Sequence, residues 1–336
     1  MQIHHFVGID ISKNTLDVTM VNNGKIICYR QMANTAKEIN TVILQMMEEH
    51  VASIEETLFC MEHTGMYSMI LLRWLNSKGA KIWLESSQQI KWSSGRARGK
   101  NDKVDSERIA LYAFKNHKNM ILWKAPKPIL DRIAALLHQR SRLLKAKKQL
   151  SGTFKEQKRF YEKGILKSIE KFATEPVKVL HAQIFAIEKE INNILKEDEK
   201  ISHLYKIITS IDGVGPLTAA YVLVTTNEFL TISDPKKYSC YCGVVPFDHT
   251  SGTSVRKRSR VSHRANKTIK TLLHLAALSA IQLEGDIKDY YIRKVEEGKN
   301  KMSVLNAVRN KLVLRIFACV KQDRIFEKNY IYKKVA

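Results

Sequence analysis

Four carboxylates in the first third of the chain have the types and spacing to do chemistry together. Asp10 follows the apolar run Phe6, Val7 and Ile9, and Glu62 closes the run Thr57–Glu62. Asp102 and Asp105 are three apart in a stretch that reads as helix, so they share one face. Acids gathered in one place repel one another and resist burial unless a cation neutralises them. Hard oxygen donors select Mg²⁺ or Mn²⁺. Two such ions about 4 Å apart clamp the attacking and leaving oxygens of a phosphodiester. The plainer alternative makes Asp10 a strand-end cap and Glu62 a surface acid. The loop before the last pair, 95–100, is glycine-rich and brings Arg96, Arg98 and Lys100, charge suited to a phosphate backbone.

A second group lies in the last third. Arg256, Lys257, Arg258, Arg260, Arg264, Lys267 and Lys270 fall within eighteen residues with no acid among them. Such a run binds phosphates. At its edge stands Ser251-Gly252, with Ser254 close behind. A serine hydroxyl becomes a nucleophile only when a base or metal takes its proton and cations hold a phosphate beside it. On chemistry alone Ser251 reads as a turn residue, as a single serine in a loop usually is. Upstream, Ile211–Pro216 sets Gly213 and Gly215 between two apolar stretches, in the manner of a helix-hairpin-helix turn that offers backbone N–H groups to phosphate.

The whole composition agrees with a polyanionic partner. The 336 residues carry a formal charge of +23, and the excess is uneven: +3 over 1–120, +8 over 121–204 and +12 over 205–336. Clustered charge of this size points to nucleic acid rather than to a merely solubilising surface. No apolar run approaches the roughly 20 residues of a membrane span. The start, MQIHHFVGIDISKN, lacks the basic and long apolar regions of a secretory signal, so a cytoplasmic location is expected. Five scattered cysteines argue against a disulfide scaffold, and the single pair Cys240-x-Cys242 has no second pair to complete a zinc site.

The elements that must position these groups can be read in order. Strands are expected at His5–Ile11, Leu16–Val21 and Lys25–Met32, the last two joined by the Asn22-Asn23-Gly24 turn. A helix capped at Asn34 or Thr35 runs to about His50. A strand at Thr57–Glu62, a helix at Tyr67–Lys78, a strand at Lys81–Glu85 and a helix from Asp102 to about Lys115 complete an α/β unit. In such sheets ligand sites collect at strand ends. Pro126 and Pro128 mark a boundary near 125. Beyond it, Ile129, Leu136, Leu143 and Leu150 repeat every seven residues, and Val177, Leu180, Ile184, Ile187, Ile191 and Ile194 alternate three and four. Both stripes are coiled-coil-like, with Pro176 placed to start the second helix. The helical pair either packs within the chain or pairs with a second protomer.

The residues Val7-Gly8-Ile9-Asp10-Ile11-Ser12-Lys13, then Glu62, then Asp102-Lys103-Val104-Asp105 resemble the DEDD-type transposases of the insertion sequence 110 family, which includes pilin-gene invertases. Ile211–Ala220, Tyr241–Pro246, Ser251-Gly252 and a basic helix ending at Leu272–Ala277 resemble that family's second conserved domain. The resemblance implies a RuvC-like ribonuclease-H fold over 1–125, a helical coiled-coil middle over 126–203 and a mainly α transposase domain over 204–336. It implies a Mg²⁺- or Mn²⁺-binding tetrad of Asp10, Glu62, Asp102 and Asp105. It also implies Ser251 as the nucleophile that links covalently to DNA. The implied partners are donor and target DNA, a non-coding bridge RNA, and further copies of the chain in a dimer or tetramer. Two rivals remain: a junction nuclease in which water attacks, and a nucleic-acid-binding protein without catalysis. Where family members often carry glycine after the basic pair, this chain has Ala265.

Overall fold

The structure is a computed structural model that describes residues 3–63, 65–93, 101–157, 159–251, 255–262 and 265–328; for 153–157, 247–251 and 255–260 it describes the main chain alone. The chain divides into two compact units, Met1–Ala125 and Pro126–Ala336.

In the first unit, β1 (His5–Ile11), β2 (Thr15–Asn22) and β3 (Lys25–Ala33) form an antiparallel meander. Asn23 and Gly24 take φ of 48° and 77°, the left-handed pair that a tight β2–β3 turn needs. Helix α1 (Ala36–Glu49) follows, its N-terminus capped by the Thr35 hydroxyl accepting from Glu38 N–H. Then come β4 (Thr57–Glu62), α2 (Met69–Ser77), β5 (Lys81–Glu85), α3 (Ser87–Ser93) and α4 (Asp102–Asn116). The sheet order is β3-β2-β1-β4-β5, with β4 parallel to β1 and β5 parallel to β4. Alternation along the strands splits the core in two. Val7, Ile9, Leu16, Val18 and Phe59 pack with Ile39 and Ile43 of α1 and Leu71 and Leu75 of α2. On the other face Phe6, Leu58, Cys60 and Trp83 pack with Ile109, Ala110, Tyr112 and Ala113 of α4.

Gly8 sets how closely α4 approaches. A Cβ there would lie 2.1 Å from the Ala110 nitrogen and 2.4 Å from the Ser106 carbonyl oxygen. Beside it, the buried hydroxyls of Thr19 on β2 and Ser106 on α4 hydrogen-bond at 2.8 Å. Both features fix the helix along and above the sheet.

The second unit begins with two long helices, α5 (Pro128–Gln157) and α6 (Lys163–Ile194). They run antiparallel, as the ion pairs Arg132–Glu197 and Arg140–Glu188, each at 2.6 Å, require. The apolar stripe is buried only at the inner end. Leu130, Ile133 and Leu137 join Ile191 and Ile194 in the core shared with the later helices, whereas Leu144 and Leu150 are exposed. Pro176 does not start a helix but lies inside α6. The reading of Pro176 as a first-turn residue fails because α6 begins a full thirteen residues earlier and stays helical through it.

Next come α7 (Glu199–Thr209), α8 (Pro216–Thr226), α9 (Pro235–Tyr241), β6 (Phe247–Ser251), β7 (Val255–Arg260), α10 (Lys267–Ala280), α11 (Asp286–Glu296) and α12 (Lys301–Lys321). β6 and β7 pair antiparallel. The basic segment is therefore not one helix: Arg256–Arg260 is strand, and α10 starts only at Lys267, where Asn266 caps it by accepting from Thr268 and Ile269 N–H. All five cysteines are free thiols, with Cys28, Cys60, Cys242 and Cys319 buried and Cys240 half-buried.

Candidate active site

Strand register brings the acids together. Asp10 pairs with Asp17 across β1–β2, and Asp17 pairs with Gln31 across β2–β3. β1 and β4 align Ile9 with Met61, so Asp10 and Glu62 are next along adjacent parallel strands, and Glu62 pairs with Glu85 on β5. Residues two apart share a sheet face. Asp10 therefore faces with Gly8, Glu62 with Cys60, and Glu85 with Trp83, all toward α4. One polar rung, Gln31–Asp17–Asp10–Glu62–Glu85, crosses the whole sheet under the N-terminal end of that helix.

α4 starts at the rung. The Asn101 side chain caps it, accepting from Lys103 and Val104 N–H at 2.7 and 3.3 Å. Asp102 and Asp105 occupy its first turn, where the helix dipole favours negative charge. Arg108 pairs with Asp105 at 2.8 Å. The outer acids of the rung are answered by neutral donors. Asp17, 1 % exposed, accepts from the Tyr29 hydroxyl at 2.5 Å and from Gln31 at 3.2 Å. Glu85 accepts from the Tyr112 hydroxyl at 3.0 Å and from Ser86 N–H at 2.6 Å.

Asp10 differs. Burial, and then the charges of Asp102, Asp105 and Glu62, push its carboxyl up to about 6, against the weaker pull of the Ile11 N–H at 3.1 Å. It thus senses all three of the other acids singled out from the sequence. Beside it a cleft of about 450 Å³ is lined by Asp17, Tyr29, Gln31, Asn101, Asp102 and Lys103, with the Lys103 ammonium 4.9 Å from the Tyr29 ring centre. Burial and the bond to Asp17 push the Tyr29 hydroxyl up to about 12, so it stays a donor. Asp17 and Glu85 were not marked by sequence reading. The signal for Asp17 was its place in β2 opposite Asp10 across the Ser12–Asn14 turn.

Other expected residues fall as follows. Arg96, Arg98, Lys100, Ser254 and Arg264 lie outside the described residues. Ser251 ends β6 with its main chain paired to Val255. Arg256, Lys257, Arg258 and Arg260 lie on β7, and Lys267 is exposed at the start of α10. Gly213, with φ of 84°, is packed against α10: a Cβ would sit 2.5 Å from the Ala276 carbonyl oxygen. Gly215 caps α8 and faces open space. Gly243, with φ of 63°, makes room for Ala265, whose Cβ would be 2.3 Å from an added Cβ.

Two sequence profiles match, the first running from the first unit into α5 of the second and the other lying within the second unit. Residues 7–157 match the DEDD transposase profile of IS110, and 205–292 match the transposase IS116/IS110/IS902 family. The chain belongs to the IS110 family of transposases. The pilin gene-inverting protein of Moraxella bovis is 24% identical over 327 residues, covering 96% of this transposase and 98% of that protein. The transposase for insertion sequence element IS1111A of Coxiella burnetii is 23% identical, covering 95% and 90%. Among solved structures, Thermus thermophilus RuvC in complex with a Holliday junction overlaps 36% of this transposase at 13% identity, with a TM-score of 0.27. Among the described residues no helix is long and apolar enough to cross a membrane.

Proposed function

We propose that this transposase cuts and rejoins DNA through a covalent bond between Ser251 and a strand end, on DNA chosen by pairing to a non-coding bridge RNA. Its first unit is read as a RuvC-like ribonuclease-H fold, a reading supported by the three-strand meander followed by two parallel strands. The observation that carries the catalytic reading is Asp10, whose proton affinity is raised by burial and then by Asp102, Asp105 and Glu62.

Among the described residues no three acidic, histidine or cysteine side chains stand close enough to chelate one ion as they are placed. The donor chemistry nonetheless fits a hard divalent cation. All four groups are carboxylates, and a carboxyl near 6 is one that lacks a neutralising charge. Asp10, Glu62, Asp102 and Asp105 would hold Mg²⁺ or Mn²⁺. Bound there, the ion supplies polarisation of the scissile phosphate and a lowered pKa for the attacking hydroxyl. The chain's own groups do the rest. Ser251 attacks phosphorus and releases the other strand end, and reversal on a new end conserves the bond energy. The basic β7 and Lys267 hold the backbone, and the Asn101 cap orients Asp102 and Asp105. Basic clusters without a base-reading motif suit a protein whose specificity comes from RNA pairing. The reading includes an assembly of two or four copies.

The test is covalent trapping. Protein, Mg²⁺, labelled donor DNA and RNA transcribed from the element's flanks are mixed, denatured and run on a gel. A protein–DNA adduct is expected from the wild type and not from Ser251→Ala. Cleavage without an adduct, unchanged in Ser251→Ala, would replace the serine by water and leave a RuvC-type nuclease.

A further inference from the structure

The second unit contains a cationic cluster that no carboxylate answers among the described residues. Arg309, in the middle of α12, is 6 % exposed. Its Nη2 donates to His274 Nδ1 at 2.8 Å and its Nη1 to Asn306 Oδ1 at 3.4 Å, while its buried Nε has no hydrogen-bond partner. His274 and Lys270 are one turn apart on α10 and half-buried. Among the described residues none of the three has an acidic partner. Burial, and then the charge of Arg309, hold both Lys270 and His274 below their ordinary values. A buried charge left without a counter-charge is costly, and replacing it by a well-packed apolar side chain of similar volume is often neutral or stabilising. Retaining three cationic or donor groups here makes sense if an anion completes them. Because His274 Nδ1 accepts from arginine, the neutral ring carries its proton on Nε2 and offers a further donor.

The cluster lies at the root of the β6–β7 ribbon. Asn306, which accepts from Arg309, donates its Nδ2 to the Val244 carbonyl at 2.6 Å. The α10 cap residue Asn266 donates its N–H to the Tyr241 carbonyl and its Nδ2 to the Tyr241 hydroxyl, each at 2.8 Å. Lys270 lies against Gly243, its Cδ 3.7 Å from where a Cβ would be. From this turn β6 leads directly to Ser251, on the order of 17 Å along five strand residues. A nucleic-acid strand laid along the ribbon covers that distance in about five nucleotides at 3.4 Å each.

We propose that Lys270, His274 and Arg309 form an anion site that takes one backbone phosphate of the DNA strand on which Ser251 acts, a few nucleotides from the attacked bond. This deepens the function proposed above and rests on it. The site positions the strand and does not touch the reacting atoms. Arginine supplies the fixed charge from beneath, and the two α10 side chains close on the phosphate from the solvent side.

The test uses the full chain and two probes, a fluorescein-labelled DNA duplex carrying an insertion-element end and an RNA oligonucleotide of equal length. Binding is measured by anisotropy across a salt series for the wild type, Arg309→Met, Lys270→Gln and His274→Gln, with thermal melting of each free protein. Arg309→Met is expected to weaken DNA binding about tenfold and to flatten the slope of log K against log salt by about 0.9, the signature of one lost phosphate contact. Its melting temperature is expected to hold or rise. Lys270→Gln, on a half-exposed residue, is expected to flatten the slope likewise. A lowered melting temperature in Arg309→Met with slopes unchanged in all three variants would make Arg309 a structural residue and overturn the proposal. Loss confined to the RNA probe would overturn the assignment to DNA. Each measurement is repeated in the Ser251→Ala chain. Binding cuts no bond, so failure of the serine mechanism leaves this result readable.

Discussion

Asp10→Asn is expected to abolish strand cleavage and at the same time to stabilise the metal-free protein at neutral pH. The carboxyl is pushed up to about 6 in the folded chain, above its ordinary value of 3.8. The folded state therefore holds the proton more tightly than the unfolded state does, so stability falls as pH rises through that window. Below about pH 4 the group is neutral in both states and costs nothing. Above about 6 the full cost of burying the charge, and then of its repulsion from Asp102, Asp105 and Glu62, is present. The raw shift corresponds to about 3 kcal/mol; Asp10 is only half-buried, so solvent screening reduces this to about 1–2 kcal/mol. The amide has no charge to repel. All four tryptophans lie within the first 123 residues, so their fluorescence follows the first unit alone. Melting curves read this way should place Asp10→Asn above the wild type at pH 8 and level with it at pH 4. Mg²⁺ should raise the wild type and leave the variant nearly unmoved. A variant less stable than the wild type at pH 8 would mean that Asp10 is a structural cap.

Gly8→Ala is expected to be the most damaging single methyl group in the first unit. The added carbon would meet main-chain atoms of α4 at 2.1 and 2.4 Å, which no side-chain rotation relieves. Ordinary overpacking costs about 1–3 kcal/mol, and a clash with helix backbone belongs at or beyond the top of that range. The helix that must retreat carries Asp102 and Asp105, so protein that still folds should have lost cleavage. Urea unfolding followed by tryptophan fluorescence should show a large fall in midpoint. Gly79→Ala is the control: φ is 67° there too, but nothing lies within 4 Å of the added carbon. Its cost should be limited to backbone strain, about 1 kcal/mol. Equal effects from the two would remove the close approach at Gly8 as the cause.

The first unit was legible because its signals are local. β1, β4 and β5 are short apolar runs closed by turns, and Asn23-Gly24 announces the β2–β3 connection. Asp102 and Asp105 could be put on one helical face from spacing alone. What spacing could not give was the rung. Asp17 looks like any polar residue in an alternating strand until pairing sets it opposite Asp10, and α3 is too short and polar to carry a period. In the second unit the failures follow from weak or misleading local cues. β6 and β7 are polar and basic without the apolar alternation that marks a strand, so the segment showed only as a phosphate-binding run. Pro176 is a helix-starting signal that long-range packing of α6 along α5 overrides. Arg309 sits in a helix that is otherwise mostly apolar, and only its burial beside His274 separates it from a surface arginine.

The placement of the thiols makes the protein chemically quiet. Burial raises Cys28, Cys60 and Cys319, and holds Cys242 at about 12, so none of these is a thiolate at working pH. A DNA adduct trapped under denaturing conditions is then not an accident of chemistry at these four thiols in the folded state. Cys240 alone is half-open, on α9 just before the turn that roots the β6–β7 ribbon. A maleimide dye should enter there and nowhere else while the protein is folded. The chain thus carries its own single-site reporter for movements of the ribbon when nucleic acid arrives, with no cysteine to remove first.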